Sequence, residues 1–130
     1  MLTAVRALGE VALRVNHLDQ MQAFYTNVIG LQLMRRFERA AFFRIADGYA
    51  GHTAVLALFD RNSPVEPERS TVDHLAFTIA LEDYEPQKQR LEALGLAVTT
   101  ATHEWVHWRS IYVEDPEGNT VELVCYDPEV

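Results

Sequence analysis

From Glu10 to Leu33 the chain reads EVALRVNHLDQMQAFYTNVIGLQL, and from His74 to Val98 it reads HLAFTIALEDYEPQKQRLEALGLAV. Each stretch opens on an alternating apolar run. Each has an acidic residue nine positions on, Asp19 and Asp83, then a helical stretch closed by Gly-Leu, Gly30-Leu31 and Gly95-Leu96. A second pair follows: GHTAVLALFD from Gly51 and GNTVELVCYD from Gly118. The offsets between the copies are 64 at the start, 65 at the glycines and 67 at the second pair. Nearly constant offsets along a whole unit mark an internal repeat of about 60 residues.

Working outward, both copies give one element order. In the first, Leu8 to Val15 alternates as a strand, and Leu18, Met21, Phe24, Tyr25 and Val28 recur at helical spacing. Gly30 suits the left-handed residue that closes a helix. Leu31–Phe37, Ala40–Ala46 and Thr53–Phe59 then read as strands, with Asp47-Gly48 as a turn. In the second, Val72–Ala80 is a strand, and Tyr84, Leu91 and Leu94 mark a helix whose first turn tolerates Pro86. Leu96–Thr100, Arg109–Val113 and Thr120–Tyr126 complete it, with Asp115-Pro116-Glu117-Gly118 as the last turn. The expected fold is α+β, with two tandem βαβββ modules over about 8–60 and 71–127. The charged, proline-bearing Arg61–Ser70 is the linker.

The chain has 130 residues, 48% hydrophobic and 23% charged, an ordinary globular balance that excludes a disordered chain. No apolar run approaches the roughly 20 residues of a membrane helix, and the first residues lack the pattern of a secretory signal. A lone cysteine, Cys125, makes no internal disulfide, so a cytoplasmic setting is expected. The net charge of −8 argues against nucleic acid and anionic membranes as partners.

Ionisable residues stand out in otherwise apolar strands. Glu10 and His74 hold the same place in the first strand of each copy, and Glu122 lies in the last strand of the second. Such groups need a partner when a strand packs. A divalent first-row metal is one partner that suits carboxylate and imidazole together. His103, Tyr112 and Glu122 follow at fixed spacing, through IYVEDPEGNTVEL.

The doubled βαβββ order, the opening EVALRVNHLDQMQAFYTNVIGLQL and the closing YVEDPEGNTVELV resemble the vicinal oxygen chelate superfamily. This group includes glyoxalase I, bleomycin-resistance and fosfomycin-resistance proteins and type I extradiol dioxygenases. The resemblance runs from about Leu8 to Asp127. It implies strands curled as a mixed sheet around a shared cavity that holds a metal. His103, Ile111-Tyr112, Asp115-Pro116, Gly118 and Glu122 fit the extradiol dioxygenase signature, with Ala101 as one departure. By that resemblance His74 and Glu122 are metal ligands, and His103 and Tyr112 are catalytic residues lining the substrate and oxygen pocket.

Glu10 departs from the histidine that most metal-binding members carry. One histidine with two carboxylates is a harder site, tilted toward Mn(II) or Mg(II) relative to Fe(II). Fe(II) or Mn(II) is the expected metal, and loss of the metal site is the alternative. Glyoxalase I and methylmalonyl-CoA epimerase resemble this fold but take a fourth ligand from the last strand of the first module. The repeat alignment puts Val55 there, which cannot ligate.

His107, Trp108 and Arg109 are candidate substrate-pocket residues, Arg109 for an anionic group. Cys125 is expected as a small buried hydrophobe. His17 and His52 are assigned to local hydrogen bonding and solvent. No dinucleotide or phosphate-loop glycine pattern is present. Two readings follow. The first is a metal-dependent enzyme, a ring-cleaving dioxygenase on a catechol-like or other vicinal-oxygen substrate. The second is a metal-free protein that sequesters an aromatic or cationic ligand, with Phe59, Trp105 and Trp108 as stacking surfaces. The resemblance implies a homodimer under either.

Overall fold

The computed structural model describes residues 4–61 and 70–130. The chain divides into two compact units, Met1–Val65 and Glu66–Val130. Most of the proposed linker lies outside the described residues. Each unit has the expected βαβββ order.

In the first unit, β1 (Glu10–Val15) leads into α1 (Leu18–Ala23), which runs on as a wider π-helical segment, Phe24–Ile29. Both Gly30 N–H and Leu31 N–H donate to the Tyr25 carbonyl, and Gly30 takes a φ of 89°. That left-handed turn is open to glycine without steric penalty, which is why the helix ends there. Then come β2 (Gln32–Phe37), β3 (Ala40–Ala46) and β4 (Ala54–Asp60). The sheet order is β1-β4-β3-β2, with β1 and β4 parallel and the other pairs antiparallel. Alternation sorts the residues. Leu13, Val15, Phe43, Leu56 and Leu58 are buried with Met21 and Tyr25 of the helical segment. Each large apolar side chain removed from water contributes about 1.5–3 kcal/mol. Glu10, Ala12 and Arg14 point to the other face and are exposed.

The second unit repeats this with β5 (His74–Thr78), a 3-10 turn (Leu81–Asp83), α2 (Tyr84–Ala93), β6 (Thr99–His103), β7 (Trp108–Glu114) and β8 (Thr120–Tyr126). Its order is β5-β8-β7-β6. Ile111, Val113, Val121, Leu123 and Cys125 form one buried face, while the other carries Thr120, Glu122 and Val124. Cys125 is buried as expected, and burial pushes its thiol up in pKa.

Two readings need correction. The edge strand β6 is Thr99–His103, not Leu96–Thr100. It pairs with β7 from Thr99 opposite Tyr112 to His103 opposite Trp108. The apolar Leu96-Ala97-Val98 precedes it as connection. The register also moves the fourth-ligand position. Glu10 pairs with Val55 as His74 pairs with Thr120, so Glu122 corresponds to Ala57 rather than Val55. Alanine cannot ligate a metal either, so the first unit still offers no carboxylate at that position.

Charge is divided unevenly. Seven of the eleven basic residues but only five of the nineteen acidic ones fall in the first unit, giving it +2 and the second −10. No helix among the described residues is long and apolar enough to cross a membrane.

Candidate metal and proton-transfer site

Period-two alternation and the pairing register put four polar side chains on one face of the second sheet. His74 opens β5, and Glu122 lies two residues past the Thr120 opposite it. Tyr112 of β7 is directly opposite Glu122. Ser110 lies two residues back along β7, on the same face as Tyr112.

Glu122 is 6% exposed, a carboxylate almost withdrawn from water. Its Oε2 accepts a 2.5 Å hydrogen bond from the hydroxyl of fully buried Ser110. Its Oε1 lies 3.1 Å from Nε2 of His74. The other ring nitrogen of His74, Nδ1, is 2.7 Å from Oδ2 of Asp73. Both ring nitrogens of His74 thus face carboxylate oxygens, which only accept when ionised. A ring that donates Nδ1–H to Asp73 turns an Nε2 lone pair toward Glu122. In that tautomer Nε2 and Oε1 can ligate one metal ion together.

The donor pair fits a metal. Ligand bonds of about 2.0–2.2 Å to imidazole nitrogen and carboxylate oxygen, set at right angles, put the two donor atoms about 3 Å apart. Asp73 on Nδ1 and Ser110 on Oε2 are outer partners of the kind that orient metal ligands. Among the described residues, no group of three or more His, Cys, Asp or Glu side chains is gathered as a metal cage. Glu10, the other expected ligand, is an exposed residue at the start of β1 in the first unit.

His103 and Tyr112 come together: His103 Nε2 lies 3.1 Å from the Tyr112 hydroxyl. The Tyr112 ring also meets the His74 ring edge-on, with centroids 6.5 Å apart. Tyr112 therefore stands between His103 and the His74–Glu122 pair. Burial raises its phenol pKa. A hydrogen bond with Ser110 acts the other way, and the negative charge of Glu122 raises it further.

The three pocket candidates separate. Trp108 shares the Tyr112 face and is exposed. Arg109 does not belong to this site. It lies an odd number of residues from Tyr112, hence on the opposite face. Its guanidinium sits 4.0 Å over the Tyr84 ring of α2 and pairs with Asp127 and Glu85 at 3.5 Å each. His107 adopts a left-handed backbone, φ 59°. Its Nδ1 lies 2.5 Å from the Val130 carbonyl oxygen and its ring packs on Tyr126. It anchors Val130 and takes no part in this site.

Sequence reasoning missed Ser110 and Asp73. Ser110 carried a signal, since two positions before Tyr112 is the same face of the same strand.

Comparison with known proteins shows the family. Residues 7–123 match the family model of the Glyoxalase/Bleomycin resistance protein/Dioxygenase superfamily. The chain is 30% identical over 119 residues to the glutathione transferase FosA of Serratia marcescens, covering 92% of this chain and 80% of that protein. It is 31% identical over 126 residues to the catechol-2,3-dioxygenase of Bacillus subtilis (strain 168), covering 93% of this chain but 42% of that protein. Among solved structures it is similar to the fosfomycin resistance protein FosX of Listeria monocytogenes, with a TM-score of 0.71 at 25% identity, covering 96% and 97% of the two chains. The lactoylglutathione lyase of Agrobacterium tumefaciens gives a TM-score of 0.70 at 27% identity, covering 95% and 96%.

Proposed function

Since the chain belongs to the glyoxalase/bleomycin resistance protein/dioxygenase superfamily, we propose that it is a divalent-metal-dependent enzyme acting on a small substrate with two neighbouring oxygens. The reading rests on one observation: the His103–Tyr112 pair stands on the same sheet face as the His74–Glu122 pair. His74 and Glu122 would hold the metal, with Glu10 as the third ligand by family correspondence, and Mn(II) or Fe(II) as the ion. Bound there, the metal would supply Lewis-acid stabilisation of charge on the substrate oxygens.

The chain's own residues do the rest. Asp73 fixes the His74 ring so that Nε2 faces the ligand position. Ser110 occupies one oxygen of Glu122 and leaves the other to the metal. Tyr112, kept protonated by its raised pKa, donates a hydrogen bond from its phenol. His103, in contact with that phenol, accepts or returns a proton as charge builds on the substrate.

Ring opening of a catechol-like substrate is the reaction this pair supports best. A histidine and tyrosine at this spacing resemble the extradiol signature, and the Bacillus subtilis catechol-2,3-dioxygenase is 31% identical. The test is oxygen uptake by Mn(II)- or Fe(II)-loaded protein with a panel of catechols. Uptake of one O2 per ring opened, abolished in His74→Ala, supports the reading, and no uptake with any catechol refutes it. A second reaction is favoured by the 30% identity to a glutathione transferase over 80% of its length. Thiol consumption with fosfomycin, in place of oxygen uptake, would assign transfer chemistry to the same residues. A metal-free ligand-binding role would show neither. We further propose a cytoplasmic homodimer.

A further inference from the structure

We propose that the first unit carries a binding slot for a planar aromatic anion, at the end of β4 opposite to Glu10. Phe37, Ala40 and Phe59 lie side by side on β2, β3 and β4: Phe37 pairs with Ala40, and Ala40 with Phe59. Directly paired residues share a face. The small Ala40 therefore lies between two aromatic walls. Those walls stand on strands two spacings apart, about 9.5 Å. A flat ring stacked between two others needs about 7 Å, two contact distances of about 3.5 Å.

Phe42, two residues along β3, packs against both walls. Its ring meets Phe37 edge-on at 5.8 Å and Phe59 edge-on at 5.6 Å. A cavity of about 460 Å³ opens over Ala40, within the range of small-molecule sites.

The mouth is cationic. Arg61 lies 4.8 Å over the Phe59 ring, and Arg39, at the β2–β3 turn, lines the same cavity. Neither forms an ion pair among the described residues. Asp60 also lines it, so the two guanidiniums leave a net positive mouth. Guanidinium forks match carboxylates and stack on rings.

The fold itself does not require these aromatics. By register, Phe37, Ala40, Phe42 and Phe59 correspond to Ala101, Ser110, Tyr112 and Val124 of the second unit. The walls are confined to the unit that is net positive, and Phe37 is 45% exposed. An aromatic carboxylate satisfies walls and mouth together. The inference rests on the first unit alone and not on the metal reading.

The test is calorimetric titration of the whole protein with 2-naphthoate, 2-naphthylmethanol and cyclohexanecarboxylate. Saturable binding of one 2-naphthoate per chain, at least tenfold tighter than either control, is expected. Ala40→Leu, which fills the slot, and Arg61→Gln should each weaken it at least tenfold with unchanged thermal melting. Glu122→Gln should retain it. Should Ala40→Leu not fold, Arg39→Gln combined with Arg61→Gln carries the same expectation. No saturable binding, equal binding of cyclohexanecarboxylate, full affinity in the folded slot or arginine variants, or loss in Glu122→Gln would overturn the proposal.

Discussion

The hydroxyl of Ser110 donates a 2.5 Å hydrogen bond to Oε2 of Glu122, and both side chains are buried on one face of the second sheet. Ser110→Ala removes that donor and leaves a carboxylate oxygen unsatisfied in a dry site. The stability cost should be about 1–3 kcal/mol by thermal or urea unfolding. Mn(II) affinity should fall roughly 10–100-fold by calorimetry, the usual penalty for losing an outer partner of a ligand. Unchanged affinity would make Ser110 a packing residue only.

Tyr112→Phe keeps the ring and loses the phenol that touches His103. Turnover should fall about 100-fold, the lower end of general acid–base contributions, with metal affinity kept. A variant with wild-type turnover would remove Tyr112 from proton transfer.

Arg109→Ala should act on stability and not on turnover. The side chain stacks on Tyr84 and meets Asp127 and Glu85 away from the site face. Loss of about 1 kcal/mol is expected, with kcat/KM within twofold of wild type. A large drop in kcat/KM without unfolding would return Arg109 to the pocket.

Alkaline pH should destabilise the protein from about pH 9 upward. Burial raises the pKa of Cys125, Tyr84 and Tyr112 alike. With folded values above unfolded ones, the folded state holds more protons in that window. Stability is therefore complete below the unfolded values near 9 and 10 and is lost as pH rises through the folded ones. The melting temperature followed from pH 8 to 11 should fall steadily, and a flat profile would contradict it.

The doubled fold was legible because alternation, helix spacing and closing glycines repeat together. Gly30 and Gly95 both take the left-handed turn expected of them. The register was less legible. Seven residues separate β3 from β4, and five separate β7 from β8. Aligning on the turn residues Gly51 and Gly118 carried a two-residue error into β4 and put Val55 where Ala57 belongs. The edge strand β6 was misplaced because pairing on one side only, along threonines, decides it. Local apolar content pointed instead to Leu96–Val98. Arg109 was within reach of the sequence, since an odd spacing from Tyr112 already puts it on the opposite face. The bond from Ser110 to Glu122 depends on register across two strands, which no spacing within one strand states.

A metal ion held by His74 and Glu122 is the central proposal. Calorimetric titration of the apo protein with Mn(II), and with Fe(II) under anaerobic conditions, measures it for the wild type, His74→Ala and Glu122→Gln. One metal per wild-type chain is expected, with at least 100-fold weaker binding in each variant. No uptake by the wild type, or equal uptake by all three, would contradict it.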